Sequence, residues 1–224
     1  NESWYAYIYP KSLTEFEQKK IITSYLGSYT NMSIEYGNLY HNTKGFGMTL
    51  KDKKDLNLYE YYLGLLNSKL FWFFIKNTSS EYRGGYFVFT KNYISPFPLP
   101  EISENSDLMI DNVNQILSSN INLKEVSSKF QRTLQRKFEV LEKLPKKLEN
   151  WYELTFADFV KELKKKKIVL SFEEEGKWED YFLPEQQKAL EIKAQITKTD
   201  KEIDAMVYEL YDLTDEEIAI VENS

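Results

Sequence analysis

One stretch constrains this chain more than any other. From Asn67 it runs through Ser68-Lys69-Leu70-Phe71-Trp72-Phe73-Phe74-Ile75, a block too apolar to face water. It continues through Asn77-Thr78-Ser79-Ser80 to Arg83-Gly84-Gly85, then to the aromatic run Tyr86-Phe87-Val88-Phe89. A helix that must be buried, a polar turn and a β-prone return call for a fold in which sheet covers helix. Pro96-Phe97-Pro98-Leu99-Pro100 closes the unit, because prolines at that density continue neither element.

The spacing predicts a single helix over 57–75. Asn57 caps it, Glu60 serves as its capping-box partner, and Leu58, Tyr62, Leu66, Leu70, Phe73 and Phe74 share one face. Truncating Leu70 or Phe73 is therefore expected to damage the core. Before this helix, Lys19 to Tyr25 and Met32 to Tyr36 read as strands, Gly37-Asn38 as a turn, and Tyr40 to Leu50 as strand or loop. Tyr86 to Thr90 reads as a returning strand. The fold class is α+β: a mixed-sheet body over residues 1–102 with a helical extension over 103–224, joined between Pro100 and Asp107. In the extension, Ser106 to Leu117, Val126 to Leu144, Thr155 to Lys166 and Glu185 to Tyr211 read as helices. Thr214-Asp215-Glu216-Glu217 is a capping box opening a last one.

Charge separates the chain further. The net charge is −6, but residues 1–100 carry +3 and residues 120–170 carry +6, while residues 171–224 carry −11. A polyanion would be drawn to the first two regions and repelled by the third. The run Lys164 to Lys167 and the triplet Glu173-Glu174-Glu175 read as solvated surface. With no cysteine there is neither a disulfide framework nor a thiolate metal site, which suits a reducing cytosol. The longest apolar run, Leu70 to Ile75, cannot span a bilayer. Starting at Asn1, the chain reads as a piece of something longer.

The catalytic inventory is thin. His41 is the sole histidine, and no nucleophile elbow, phosphate-binding glycine loop or His/Cys metal spacing occurs. The segment Asn77 to Gly85 is different. Its short hydroxyls and amides suit phosphate contact or capping. Gly84-Gly85 allows positive φ and close backbone approach. Arg83 offers a fork that fits a phosphate, a guanine edge, or an internal carboxylate.

Several motifs in order resemble the TaqI-like C-terminal specificity domain of restriction-modification enzymes and adenine-specific DNA methyltransferases. They are Trp4-Tyr5 with Lys20-Ile21-Ile22, the Leu65 to Leu70 helix leading to Arg83-Gly84-Gly85-Tyr86-Phe87, and Phe97-Pro98-Leu99-Pro100. A terminal run follows, from Thr199-Asp200-Lys201-Glu202-Ile203-Asp204 through Val207 to Tyr211 and Leu213 to Ile218. Asp212 stands where the family often has Gly.

The resemblance implies a target-recognition domain that binds double-stranded DNA, carries no catalytic residue or cofactor of its own, and works in the cytoplasm. Its parent would bear an adenine-specific methyltransferase domain using S-adenosylmethionine, often fused to a nuclease domain, and Mg where a nuclease is fused. The loop Thr30 to Lys44 is the expected base reader, with Asn31, Ser33, His41, Asn42 and Lys44 as candidates. Ser79, Arg83, Gly84, Tyr86 and Lys91 are the candidates around the second loop, Arg83 and Lys91 for the DNA backbone. A protein-docking module with a helical arm, which would not bind duplex DNA, is the alternative. A small enzyme is a weaker third reading.

Overall fold

The computed structural model describes residues 13–42, 44–51, 57–100, 102 and 106–224. Two compact units emerge. The first joins the residues up to Val113 with Lys201–Ser224; the second is Asn114–Asp200. This division does not follow the expected one at 102/103, because the last 24 residues pack with the body.

In the first unit a short helix α1 (Leu13–Phe16) leads into β1 (Lys19–Ser24), β2 (Leu26–Gly27), β3 (Ser33–Tyr36) and β4 (Gly45–Met48). Helices α2 (Leu58–Asn67) and α3 (Lys69–Thr78) follow, then β5 (Glu81–Tyr82), β6 (Tyr86–Val88) and α4 (Lys91–Ile94). The α+β class holds. Among the described residues two three-stranded sheets form, ordered β3-β1-β4 and β2-β6-β5. Every pairing among the described strands is antiparallel rather than mixed.

The single helix expected over 57–75 is two. Ser68 leaves the helical region with ψ 158°, and its hydroxyl accepts from the Phe71 amide, so it caps α3. The buried faces change accordingly. In α2, Tyr59, Tyr61, Leu63, Leu65 and Leu66 are all buried, which makes it a core helix rather than an amphipathic one. In α3, Phe71 and Ile75 are fully buried, whereas Leu70 and Phe73 are only half-buried. Gly64 has a packing reason: a Cβ there would lie 2.8 Å from Met109 Sδ.

The terminal motif turns out to be a clamp on α3. The Lys69 amide, at the α3 N-terminus, donates to Asp204 Oδ1 at 2.9 Å. The Lys69 ammonium pairs with Glu222. Tyr208 donates to the same carboxylate at 2.8 Å, and Tyr211 donates to the Pro98 carbonyl at 2.5 Å. Asp212 sits at φ 51°, so the turn keeps the left-handed conformation that Gly would favour; Asp tolerates it better than most residues.

The helices beyond Pro100 are longer than expected. Helix α5 (Ser106–Lys137) is continuous for 32 residues where two were expected. Helix α8 (Phe172–Leu210) continues through Pro184 for 39 residues rather than starting after it. Between them lie α6 (Lys146–Glu149) and α7 (Phe156–Lys165), the latter capped by Thr155 as expected. Helix α9 (Asp215–Glu222) carries the expected capping box. The second unit is built on an aromatic core of Phe130, Trp151, Phe159 and Phe182, all with zero exposure. Gln135 and Gln186 serve the turns around it, donating to the carbonyls of Leu141 and Glu142, and of Tyr152 and Leu154.

Candidate functional site

Arg83 sits at the tip of a β-hairpin. Tyr82 pairs with Tyr86 and Glu81 with Phe87, leaving Arg83-Gly84-Gly85 as the connecting loop. Gly84 and Gly85 take φ 82° and 75°, a conformation that favours glycine, so the pair is what makes so tight a reversal. Tyr82 and Tyr86 face solvent on opposite strands. Arg83 is exposed and pairs with no carboxylate among the described residues, which removes the internal ion-pair reading.

Rigidity comes from the base of the hairpin. Ser79 Oγ donates to the Val88 carbonyl at 2.7 Å and accepts from the Val88 amide at 3.1 Å. That hydroxyl is half-buried and bonded twice to the Val88 backbone at the base of the hairpin. Trp72 stands edge-on to Phe87 at 5.4 Å and stacks parallel to Phe89 at 6.4 Å. Ser80 Oγ and Tyr93 OH lie 2.5 Å apart. Gly84 and Tyr86 are exposed at the tip, and exposed Lys91 begins α4.

The other candidate stretch, 30–42 and Lys44, is ordered by the α2 terminus. Asn67 accepts from the Met32 amide at 2.8 Å and donates to its carbonyl at 3.0 Å. Asn31 and Ser33 flank this clamp with exposed side chains. Exposed Asn42 accepts from the Lys44 amide, and the Lys44 ammonium lies 5.4 Å from the Tyr25 ring centre. His41 is half-buried, its ring 4.9 Å from that of Phe16 and against the open backbone of Gly45 and Gly47. Tyr25 links both stretches, since its amide donates to the Lys44 carbonyl and its carbonyl accepts from the Phe89 amide.

Glu35 is the electrostatic centre of this stretch. Burial raises the pKa of its carboxyl, but the Lys20 ammonium and the backbone amides of Asn38, Gly37 and Leu39 outweigh that and hold it down to about 2. The folded value lies below the ordinary 4.5, so the charged carboxylate stabilises the fold fully above about pH 4.5. Its contribution fades as pH falls from there through about 2. Melting temperature measured down that range is expected to drop less steeply in a chain carrying Lys20→Met with Glu35→Leu than in the native chain. Equal slopes would mean that Glu35 is not held down.

The sequence named Tyr86 as a candidate but singled out none of Tyr29, Tyr36 and Tyr40. Tyr29, Tyr36 and Tyr40 are exposed, like Tyr82 and Tyr86, and Tyr40 reaches 68%. Side chains of this type are enriched where proteins meet partners, since they combine a large apolar face with a polar tip. Density of tyrosine was visible in the sequence; which of them faced water was not. The first unit also holds an apolar cleft of about 730 Å³ bounded by Ile21, Met48, Leu58, Tyr62, Phe97 and Leu99. No cluster of His, Cys, Asp or Glu able to hold a metal occurs among the described residues. No helix among them is long and apolar enough to cross a membrane.

Residues 2–99 match the family model for the TaqI-like C-terminal specificity domain. That part of the chain is thus similar to a specificity domain of the kind tied to target recognition in restriction-modification enzymes. Residues 102–207 match a model described as a domain of unknown function (DUF8810). Comparison with curated proteins gives no match.

Proposed function

We propose that this chain reads DNA sequence for a restriction-modification enzyme or adenine-specific methyltransferase, and does no chemistry itself. The observation that carries it is the Arg83 hairpin tip: an exposed guanidinium with no ion-pair partner among the described residues, at the end of a braced hairpin ribbon and flanked by exposed tyrosines. A ribbon of this kind fits the major groove, and a guanidinium is matched to phosphate or guanine. The hairpin sets position on the duplex. The loop Thr30 to Lys44, rich in short amides and hydroxyls, reads base edges through Asn31, Ser33 and Asn42, with Tyr36 and Tyr40 beside them. Catalysis, S-adenosylmethionine and any Mg belong to the rest of the parent enzyme, and base flipping by that enzyme needs the duplex held while the adenine leaves the stack. The setting is the cytoplasm.

Selection from a pool of random duplexes, followed by salt titration of the enriched sequence, tests this reading. The 224-residue chain is expected to enrich one short sequence and to bind other duplexes at roughly 10⁻⁴–10⁻⁶ M at physiological salt. Arg83→Ala is expected to weaken all duplexes alike and lower the salt slope by about one, as for a phosphate contact. A loss confined to one base pair would make Arg83 a reader instead. The docking alternative draws on the apolar cleft; a chain that binds no duplex would favour it.

A further inference from the structure

Lys20 and Glu35 form an ion pair of unusual placement. They face each other directly across β1 and β3, at 2% and 4% exposure. Taking two charges out of water is costly, and two apolar side chains could fill the same space between the strands without that cost. What apolar side chains could not do is direct polar atoms outward, and both members of this pair do so.

Glu35 gives one carboxylate oxygen to Lys20. The other accepts from the amides of Asn38 at 2.5 Å and Leu39 at 2.9 Å. Lys20 also donates to the carbonyls of Phe16 at 2.6 Å and Gln18 at 3.2 Å. The pair thus grips two separate turns. On one, the Phe16 ring forms a platform on which Tyr40 stacks at 5.3 Å and His41 leans at 4.9 Å. The other is the start of the segment that displays Asn38, Leu39, Tyr40, His41 and Asn42. Gly37, at φ 91°, lets the two turns touch: a Cβ there would lie 2.4 Å from the Glu17 carbonyl oxygen.

We propose that the Lys20–Glu35 pair is a positioning device that locks the 38–42 segment onto its Phe16 platform and so sets which DNA sequence the chain prefers. This rests on the DNA-reading function proposed above. The pair does not touch DNA; it acts through the backbone of Asn38 and Leu39. Both residues are exposed, so their amides can turn to water when the acceptor is removed, and the segment drifts while the strands behind it stay paired.

Two variants of the 224-residue chain separate this from a merely structural role. Lys20→Met with Glu35→Leu removes the acceptor, whereas Lys20→Met with Glu35→Gln removes the ion pair but keeps an acceptor oxygen. Amide exchange at Asn38 and Leu39 and the ratio of affinities for the selected and a scrambled duplex are measured on both. The Leu variant is expected to lose protection at the two amides and roughly tenfold or more of the ratio, about one base pair of discrimination, with binding to scrambled duplex unchanged. The Gln variant is expected to keep both. Lost protection with an intact ratio overturns the proposal, as does loss of both in the Gln variant. If the Leu variant does not fold, Leu39→Pro deletes a donor from an exposed position with the pair intact, and the affinity ratio decides in the same way. A native chain that prefers no duplex refutes the DNA-reading function itself, and the positioning role falls with it. That result is distinct from a native preference that survives loss of the acceptor.

Discussion

Phe71→Ala is expected to cost about 3–5 kcal/mol of stability, while Phe73→Ala, two residues on, costs about 1. Phe71 has no exposure, meets Phe97 edge-on at 4.9 Å and lies 6.4 Å from Phe74. Removing its ring leaves a cavity between α3 and the proline-rich segment that closes the unit, and neither wall is free to collapse. The α3 N-terminus is held by Asp204 and by the Lys69–Glu222 pair, and the closing segment is held by Tyr211 at Pro98. Phe73 is half-buried and exchanges part of its contact for water. Denaturant unfolding of the two variants and the native chain measures the difference. Equal losses would return the buried face to the one that the sequence periodicity suggested.

The source of that error lies in two residues. Leu58, Tyr62, Leu66, Leu70 and Phe73 keep helical spacing from end to end, so periodicity alone joins α2 to α3. Asn67-Ser68 breaks it, because Ser68 caps the second helix and Asn67 turns its amide to Met32. Side-chain hydrogen bonds of this kind compete with helix continuation, and the competition is settled by a partner 35 residues away that local pattern does not contain. The reverse error occurred at Pro184, which local rules treat as a helix boundary but which α8 contains. Caps that depend only on neighbours, at Thr155 and Thr214, were legible.

The candidate site divides in the same way. Gly84-Gly85 announced a reversal, and the structure makes it a hairpin tip with Arg83 exposed. Ser79 offered a short hydroxyl suited to phosphate contact or capping, and its bond to the Val88 backbone could not be foreseen because that partner comes only with the returning strand. Lys20 and Glu35 looked like ordinary strand charges. Their 15-residue separation conceals that they face each other, a relation fixed only by the β1–β3 register. Burial of tyrosine is likewise a property of tertiary packing, so composition gave a count without saying which rings would meet a partner.

In the second unit, Trp151→Ala is expected to cost about 3–5 kcal/mol, and Trp151→Phe to cost much less, about 1. Trp151 stacks on Phe130 with ring centres 3.7 Å apart and meets Phe182 at 5.5 Å, with no exposure. Truncation to alanine removes the centre of a cluster whose other members come from α5, α6, α7, α8 and the segments between them, so the void cannot be closed by one side chain. Phenylalanine keeps a ring for the stack. It also removes a liability: the indole Nε1 is buried with no hydrogen-bond partner among the described residues. An unsatisfied buried donor costs about 1–3 kcal/mol, and losing it offsets much of the smaller ring's lost contact. Thermal melts followed by near-ultraviolet circular dichroism test the order of the two variants. If phenylalanine proved as damaging as alanine, the indole nitrogen would have to be held by a bound water, and the contribution of Trp151 would be a hydrogen bond rather than a stack.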